Sequence, residues 1–397
     1  MININQVIED MDLKGNPSEH RIVVAMSGGV DSSVTAALLV EAGFDVVGLT
    51  MQLYDHGQAL QKKGACCAGS DINDARLVSS KLQIPHYVLN YENLFQDQVM
   101  EDFADSYLRG ETPIPCVRCN QTVKFIDMLD RAKKLGASAM ATGHYIRRRK
   151  NNTGTPSLYK GIDSSKDQSY FLFATTKSQL EFLRFPLGSL TKKETRSVAR
   201  KYNLDVAEKP DSQDICFVPD GKYADVVRKL RPGSIDIGDI VDIEGKKLGQ
   251  HNGIIDFTIG QRKGIGIGGR KGVDDNNSLL YVIALDAKKK QVIVGSKDYL
   301  ACKKIKITEC NWIIDKPHNK EFKILVKLRN TSNPVVGKIK VDFKTGTSEL
   351  DFDEPQFGVS TGQAAVFYNT KDHSHVLGGG WITDAPNMLD LNNFINA

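Results

Sequence analysis

The sequence predicts an α/β protein: a doubly wound parallel-sheet domain, then a small central β-rich domain and a C-terminal β-barrel. Between residues 21 and 219, short apolar runs alternate with helical patterns, and strands separated by helices form parallel sheets with right-handed crossovers. From about residue 233, short alternating runs are separated by glycine-rich turns, which is typical of β modules. We therefore expect an extension at residues 1–20 and domains at residues 21–219, 220–300 and 301–397.

The composition is that of an ordinary globular chain. Of the 397 residues, 41% are hydrophobic and 25% are charged, and the net charge of +4 neither demands nor excludes a nucleic-acid partner. No apolar stretch reaches the length of a membrane span, and the first twenty residues lack the apolar segment of a signal peptide. The odd number of cysteines, seven, argues against a disulfide scaffold. We expect a cytoplasmic protein with no membrane partner.

A strand predicted at residues 21–26 leads into the loop Ser27-Gly28-Gly29-Val30-Asp31-Ser32, after which a helical pattern begins. The small residues let the backbone approach a ligand closely, and the N–H groups at the start of the helix form an anion site. The loop fits neither the Walker pattern nor the dinucleotide fingerprint. It is similar to the phosphate loop of the ATP pyrophosphatase families, the alternative being an ordinary glycine-containing turn between strand and helix.

The alternation then continues with strands at residues 45–53 and 86–90 and helices at residues 71–82 and 94–108. Ligands of such sheets bind at the carboxyl ends of the strands. Met51 lies near the end of the second strand, where it would either wall an adenine pocket or pack in the core. Cys66 and Cys67 are adjacent, which makes them poor joint metal ligands, and we assign them no role.

Cys116 and Cys119 lie just ahead of a helical pattern at residues 122–135. Two prolines favour an extended loop before it, which would place Cys119 near the N-terminus of that helix. A thiol there, beside Arg118, should have a lowered pKa and be a competent nucleophile. The Cys-x-x-Cys spacing also occurs in zinc, iron–sulfur and thioredoxin-like sites, but the sequence has no second such pair to complete a structural zinc site.

The residues after this helical pattern carry polar motifs that are less specific for any one function. A short strand at residues 139–145 ends in Gly143-His144, where the backbone could pass a nucleotide and the histidine could contact an anion. The basic run at residues 147–150 is typical of a solvated hairpin. Residues 166–171 mix charged with aromatic side chains, which suits an RNA backbone and an unstacked base. Cys216 taken alone would be interpreted as structural.

Two further predictions concern local structure. Thr191 and Glu194 have the spacing of a capping box that opens a basic helix ending near residue 202. In the central domain, strands are predicted at residues 239–243, 254–259, 280–285 and 291–294. The glycine-rich basic loop at residues 258–266 is more suited to holding a phosphate backbone than to catalysis.

Five stretches together resemble the tRNA-specific 2-thiouridylase family, namely residues 27–32, 115–120, 142–144, 166–171 and 211–217. The resemblance implies the ATP-dependent replacement of the C2 oxygen of the wobble uridine (position 34) of tRNA by sulfur. It implies that Mg²⁺ lies near Asp31 and that ATP is bound by Ala25, Met26, Ser27, Gly28, Gly29, Val30, Asp31, Ser32, Met51 and Gly143.

The resemblance also implies a sulfur route. ATP adenylates the C2 oxygen, Cys216 carries the sulfur as a persulfide, and Cys119 attacks Cys216 to release it, which leaves a disulfide. Ile114, Pro115 and Cys116 would contact the target base. Many family members have an aspartate with an acid/base role at the position of Cys116. Either that role lies elsewhere in this chain, or Cys116, Cys119 and Cys216 hold an iron–sulfur cluster.

The partners implied are tRNA, through its anticodon stem-loop, and a sulfur-donor protein of a persulfide relay, and we expect a monomer. The residues implied to contact tRNA are His144, Lys166, Asp167, Gln168, Arg329, Asn330 and Gln363. Arg329 and Gln363 would equally suit a solvated surface.

Two other function classes stay open from the residues alone. A synthetase that adenylates its substrate and transfers nitrogen would share the loop at residues 27–32, but it would not need Cys119 and Cys216. A non-enzymatic RNA-binding protein would use the β-rich half and carry a degenerate nucleotide domain, which the intact loop argues against.

Overall fold

The computed structural model describes residues 3–53, 67–151, 154–211, 214–218, 221–267, 279–315, 317 and 319–387. Cys66, the side chain of Cys67, and residues Ser212 and Gln213 of the predicted 211–217 stretch lie outside this description.

The strands in the described residues are β1 Arg21–Ala25, β2 Asp45–Gln52, β3 His86–Asn90, β4 Ala139–Thr142, β5 Ile146–Lys150, β6 Pro156–Lys160, β7 Leu183–Arg184, β8 Gly238–Val241, β9 Lys247–His251, β10 Tyr281–Asp286, β11 Gln291–Gly295, β12 Ala301–Trp312, β13 Glu321–Lys327, β14 Val335–Asp342, β15 Thr347–Phe357, β16 Ala364–Tyr368 and β17 His375–Asp384.

The helices are α1 Ile4–Met11, α2 Val30–Glu41, α3 Cys67–Lys81, α4 Glu92–Phe95 continuing as Gln96–Met100 and Glu101–Leu108, α5 Pro115–Arg118 continuing as Cys119–Met128 and Leu129–Lys134, α6 Lys177–Phe182, α7 Lys192–Lys201 and α8 Tyr223–Leu230. The segments Gln96–Met100 and Cys119–Met128 are π-helical.

The first domain is built on a parallel sheet with the strand order β3-β2-β1-β4-β7. Successive residues of β1 point to opposite faces, so Val24 joins one hydrophobic core and Val23 joins another. Both faces of the sheet are therefore covered, which is the reason its strands appear as continuous apolar runs in the sequence. The predicted doubly wound parallel sheet is confirmed.

The C-terminal domain is a closed antiparallel barrel of six strands in the order β12-β15-β14-β13-β16-β17, closed by pairing of β17 with β12. The hairpin of β5 and β6 extends this sheet, because β6 pairs with the start of β17. The basic run at residues 147–150 is therefore a hairpin, but it is not simply solvated, since Arg148 is buried.

The central domain is a four-stranded sheet in the order β10-β11-β8-β9. The prediction of a strand at residues 254–259 is wrong: the chain forms a short 3₁₀ turn at Ile254–Asp256, whose Ile255 is buried with α4 and α8.

The predicted capping box is confirmed, because Thr191 and Glu194 exchange side-chain to backbone bonds at the start of α7.

The N-terminal extension is docked on the first domain. Val7 and Met11 of α1 are buried in the same core as α2. The buried Arg148 side chain, 2% exposed, pairs with Asp12 at 2.7 Å and donates to the carbonyl oxygen of Leu180. Arg184 donates to the carbonyl oxygen of Met11. Tertiary contacts thus order a helix too short to be stable alone.

Among the described residues, no helix combines the length and the apolar character that crossing a bilayer requires.

We expect Asp12→Ala to lower the free energy of unfolding by about 2 kcal/mol, because the buried guanidinium of Arg148 would lose its nearest carboxylate. Asp45→Ala is the matched control: it breaks the exposed Arg21–Asp45 pair and should cost about 0.5 kcal/mol or less. Urea unfolding of both variants measures the difference, and equal costs would show that the Asp12 contact does not hold α1 in place.

Candidate active site

The loop between β1 and α2 is pre-formed by its own hydrogen bonds. The backbone N–H of Ser27 donates to the hydroxyl of Ser32 at 3.1 Å, and the hydroxyls of Ser32 and Ser33 donate to the carbonyl oxygen of Gly29. The loop therefore opens directly onto the N-terminus of α2, where backbone N–H groups and the helix dipole favour an anion.

Two glycines of this region are sterically required. Gly28 has a φ of 71°, and a Cβ there would lie 2.1 Å from the carbonyl oxygen of Asp71. A Cβ on Gly143 would lie 2.8 Å from the backbone nitrogen of Ser32. The end of β4 thus packs against the first turn of α2, which brings Gly143 beside the loop, and its contact with ATP stays a prediction.

Met51 is half-buried and packs against two hydrophobic cores. Core packing is therefore part of its role, and its contact with adenine stays a prediction.

A cluster of ionic side chains lies beside the loop. The ammonium group of Lys192 lies 2.7 and 2.9 Å from the two carboxylate oxygens of Asp31 and 2.8 Å from Asp211. Asp211 also pairs with Lys166 and Arg196, each at 2.7 Å. Although burial acts in the opposite direction, the hydrogen bonds from Lys166 and Lys192 lower the pKa of Asp211 to about 2. Lys209 contacts the loop as well, donating to the carbonyl oxygen of Gly28 and pairing with Asp71 and Asp74, so the cations and carboxylates of this cluster balance in charge.

The Cys-x-x-Cys segment is helical. The sequence pattern predicts a helix from residue 122, but α5 begins at Pro115, so Cys116 is in its first turn and Cys119 is one turn later. Cys119 is buried, whereas Cys116 is half-buried. The two side chains are three residues apart in a helical segment and therefore share a face.

The expectation that Arg118 lowers the pKa of Cys119 is wrong. Arg118 makes two hydrogen bonds to Glu309 of the barrel, at 2.8 and 3.1 Å, and its guanidinium lies 4.7 Å from the ring centroid of Trp381. Burial raises the pKa of the Cys119 thiol above its ordinary value, and the cation that opposes this effect is Lys124.

Lys124 brings the three thiols into one electrostatic environment. Burial raises the pKa of Cys116 and Cys119, and raises that of Cys216 to about 12; Lys124 acts against the increase in all three. Burial lowers the pKa of Lys124 itself, but the charges of Cys119, Cys216 and Cys116 reverse this and raise it overall. The effect is mutual: a thiolate that forms at this site favours the ammonium form of Lys124, and the ammonium group favours that thiolate.

Sequence reasoning missed Lys124 because of the π-helix. In an α-helix, at about 100° per residue, a side chain five positions beyond Cys119 points to a different face. The π-helical backbone bond joins residues five apart, which brings Lys124 back over Cys119. Lys192, Arg196 and Asp211 were also missed as a cluster; the only sequence signal was that Lys192 follows the cap residue Thr191.

His144 is uncharged at neutral pH. Burial lowers its pKa to about 3, Lys124 acts in the same direction, and its ring lies edge-on to Phe125 with centroids 6.3 Å apart. It accordingly offers a hydrogen bond rather than a charge to a ligand. Its proposed contact with tRNA stays a prediction.

Cys216 is solvent-exposed although protein surrounds its sulfur closely enough to raise the pKa. The next residue, Phe217, is buried edge-on against Phe95 and Phe103, with ring centroids 5.6 and 5.1 Å apart. Asp214 accepts a hydrogen bond from Tyr223 at 2.5 Å. Helices α4 and α8 thus fix the C-terminal side of this segment.

The predicted tRNA-contact stretch at residues 166–171 is largely engaged within the protein. Asp167 accepts bonds from Gly161 and Ser169, and Gln168 accepts one from the backbone of Tyr145. Tyr170 is buried and donates to the carbonyl oxygen of Ala364, so its ring packs inside the protein, and contact of this stretch with tRNA stays a prediction.

The predicted tRNA contacts of the barrel differ from one another. Asn330 is exposed. Arg329 donates to the carbonyl oxygens of Gly358 and Ile259, which ties the barrel to the central domain. Gln363 donates to the carbonyl oxygen of Thr112 at 2.8 Å, just before Ile114, Pro115 and Cys116. These bonds inside the protein neither require nor exclude binding of the same residues to tRNA or to the target base. Both kinds of binding stay predictions.

The cysteines do not fit an iron–sulfur cluster. Within the part of the chain that the structure describes, no three His, Cys, Asp or Glu side chains converge so as to hold a metal ion. We assign no cluster to Cys116, Cys119 and Cys216.

Comparison with known proteins agrees with this architecture. A family model described as a tRNA methyl transferase HUP domain matches residues 20–220, the corresponding PRC-barrel domain matches residues 226–296, and an aminomethyltransferase beta-barrel domain matches residues 302–382.

Curated relatives match over nearly the whole chain. The tRNA-specific 2-thiouridylase MnmA of Parvibaculum lavamentivorans is 54% identical over 380 residues, covering 94% of each chain. The protein of the same name from Roseobacter denitrificans is 55% identical, over 92% of this chain and 95% of its own. These matches do not favour a nitrogen-transferring synthetase or a non-enzymatic RNA-binding protein.

We expect Lys124→Met to slow the alkylation of Cys119 by iodoacetamide at pH 8 by about fivefold or more, because removing the cation raises the pKa of the thiol further and lowers the thiolate fraction. The pH profile of the alkylation rate, measured by mass spectrometry of the Cys119 peptide, should shift to higher pH. Lys124→Arg keeps the charge and should keep the profile. An unchanged pH profile in Lys124→Met would contradict the conclusion that Lys124 lowers the pKa of Cys119.

Proposed function

The chain belongs to the tRNA-specific 2-thiouridylase family, and we propose that it thiolates the wobble uridine of tRNA by activating the C2 oxygen with ATP and delivering sulfur from a persulfide on Cys216. The chain is a tRNA-uridine 2-sulfurtransferase that binds ATP and acts on tRNA. The observation that carries the proposed sulfur route is the common environment of Cys119 and Cys216 around Lys124.

Activation takes place at the phosphate loop. A carbonyl oxygen is a poor leaving group, so the C2 oxygen attacks the α-phosphate of ATP, pyrophosphate leaves, and an adenylated base results. The loop N–H groups and the N-terminus of α2 stabilise the departing pyrophosphate. Mg²⁺ bound with ATP would neutralise phosphate charge, and the carboxylate of Asp31 is the hard oxygen ligand that the loop offers for it.

Sulfur transfer then follows in two displacements. The terminal sulfur of the Cys216 persulfide attacks C2, AMP leaves, and the base is joined to Cys216 through a disulfide. The Cys119 thiolate next attacks the sulfur of Cys216, which releases the thiocarbonyl and forms a Cys119–Cys216 disulfide. A dithiol reductant must supply two electrons and two protons to restore both thiols.

Lys124 suits both displacements. Burial makes each thiolate costly, and one ammonium group can stabilise whichever sulfur is anionic at a given step. The solvent exposure of Cys216 allows a persulfide-relay protein to reach it, whereas the burial of Cys119 keeps the resolving thiol away from other oxidants. Every residue invoked lies in one chain, so a monomer suffices, and tRNA as substrate favours a cytoplasmic reaction.

The tRNA would lie across the domains. Asn330 is exposed on the barrel, and Lys166 lies beside the phosphate loop. We include His144, Asp167, Gln168, Arg329 and Gln363 in this surface as predicted contacts. The target base must leave the anticodon stack to reach the thiols, and Ile114, Pro115 and Cys116 are the residues that we expect it to contact.

Cys119→Ser and Cys216→Ser should each lower thiolation of tRNA by about 100-fold or more, because either change breaks the two-step displacement. The measurement is mass spectrometry of nucleosides from tRNA after reaction with ATP and a persulfide donor. Cys116→Ser is the matched control for loss of a neighbouring thiol, and it should retain activity to within about tenfold.

Anaerobic purification should yield protein without a broad iron–sulfur absorption band. Such a band, lost together with activity in Cys116→Ser, would refute the persulfide route in favour of the cluster. Full thiolation of tRNA by either Cys119→Ser or Cys216→Ser would refute both the persulfide route and the cluster.

A further inference from the structure

Two lysines lie at the rim of the contact between the first domain and the barrel. Lys160 is the last residue of β6, and Lys327 is the last residue of β13. Each lies two residues beyond a leucine, Leu158 or Leu325, that is buried in the core shared by the two domains. Because side chains alternate along a strand, both lysines are on the face of that core, but each is only half-buried.

Neither ammonium group is neutralised by a carboxylate in contact with it. In the described part of the chain, Lys160 and Lys327 form no ion pair within 4.0 Å, whereas the nearby Lys166 pairs with Asp211 at 2.7 Å. The ammonium group of Lys160 lies 4.3 Å from the ring centroid of the buried Tyr368 instead. This cation–π contact attracts the lysine but leaves its charge in place.

Asp167 is the acidic residue that acts on both lysines, and its carboxylate already has other partners. One oxygen accepts hydrogen bonds from the backbone N–H groups of Gly161 and Ser169, each at 3.2 Å. The other oxygen accepts a bond from the hydroxyl of Ser169 at 2.7 Å. A single carboxylate beyond ion-pair distance cannot balance two ammonium groups, so this part of the rim has an excess of positive charge.

The two charges are held at a cost in free energy. Burial lowers the pKa of both ammonium groups, and the attraction of Asp167 does not cancel that effect. The charge of Lys160 lowers the pKa of Lys327 further, so the two lysines repel each other. An anion bound from outside would remove both the repulsion and part of the cost of burial.

We propose that Lys160 and Lys327 bind phosphate groups of the tRNA backbone. The inference deepens the proposed function, because it adds two residues to the surface that holds the substrate. It rests on tRNA as the substrate and not on the sulfur route.

The surroundings of the two lysines favour the RNA backbone over a base. The aromatic rings beside them, those of Tyr170 and Tyr368, are buried and offer no face on which a base could stack. A lysine is a point charge that suits a phosphate, and such contacts position a nucleic acid without reading its sequence. The exposed Asn330 follows Lys327 by three residues, so the same side of the barrel continues to solvent.

The test measures binding of the full chain to a tRNA transcript with uridine at position 34, without ATP or a sulfur donor. Fluorescence anisotropy gives the affinity at several concentrations between about 50 and 200 mM KCl. We expect Lys160→Met and Lys327→Met each to weaken binding by about fivefold. The slope of log K against log salt concentration should become shallower by about 1 for each lysine removed, because fewer counterions are released.

Three controls separate a phosphate contact from other roles. Lys160→Arg and Lys327→Arg keep the cation and should keep the slope. Lys338→Met removes an exposed lysine of the same barrel that pairs with Glu321 at 2.8 Å, at the opposite end of β13, and should change neither affinity nor slope. A transcript with cytidine at position 34 should lose affinity for the Lys160→Met and Lys327→Met variants to the same extent, because a backbone contact does not depend on the base.

Wild-type affinity and salt slope in either methionine variant would overturn the proposal. A loss of affinity seen only with uridine at position 34 would also overturn it, since the lysines would then read the base. So would a lower urea midpoint with an unchanged slope, because the lysines would then serve folding through contacts such as that with Tyr368. Since the measurement uses neither ATP nor sulfur, its failure is distinguishable from failure of the sulfur route, which the thiolation of tRNA by the cysteine variants tests.

Discussion

The docking of the C-terminal barrel onto the segment that leads into α5 is the constraint on which the site depends. Thr112 exchanges bonds with the barrel turn: its N–H donates to the carbonyl oxygen of Thr361, and its own carbonyl accepts from Gln363. Arg118, one turn into α5, pairs with Glu309 and lies over Trp381. The helix that carries Cys116, Cys119 and Lys124 is therefore positioned by contacts with the barrel, a domain far from it in the sequence.

Burial and charge have opposite effects on the pKa of the thiols in the site. Dense surroundings keep the thiols protonated, which protects them from adventitious oxidation but makes each one a poor nucleophile at rest. A single ammonium group lowers the cost of forming one thiolate at a time. A permanent thiolate set would bind metal ions and react without a substrate, whereas thiols that are protonated at neutral pH do neither readily.

The same principle applies to the carboxylates near the phosphate loop. Asp31 and Asp211 are both held by the ammonium group of Lys192, and Asp211 is held by Arg196 as well.

The sequence by itself determined the local features: the strand, loop and helix at residues 21–41, the capping box at Thr191, and the change to β modules after residue 233. Each depends on neighbouring residues, whose backbone preferences and spacing are visible in one dimension. Only the tertiary structure decided that Arg118 faces Glu309, that Tyr170 is buried against the barrel, and that Lys124 faces the thiols. Those outcomes depend on a π-helical register and on contacts between residues far apart in the chain, and such contacts are set by how the domains pack.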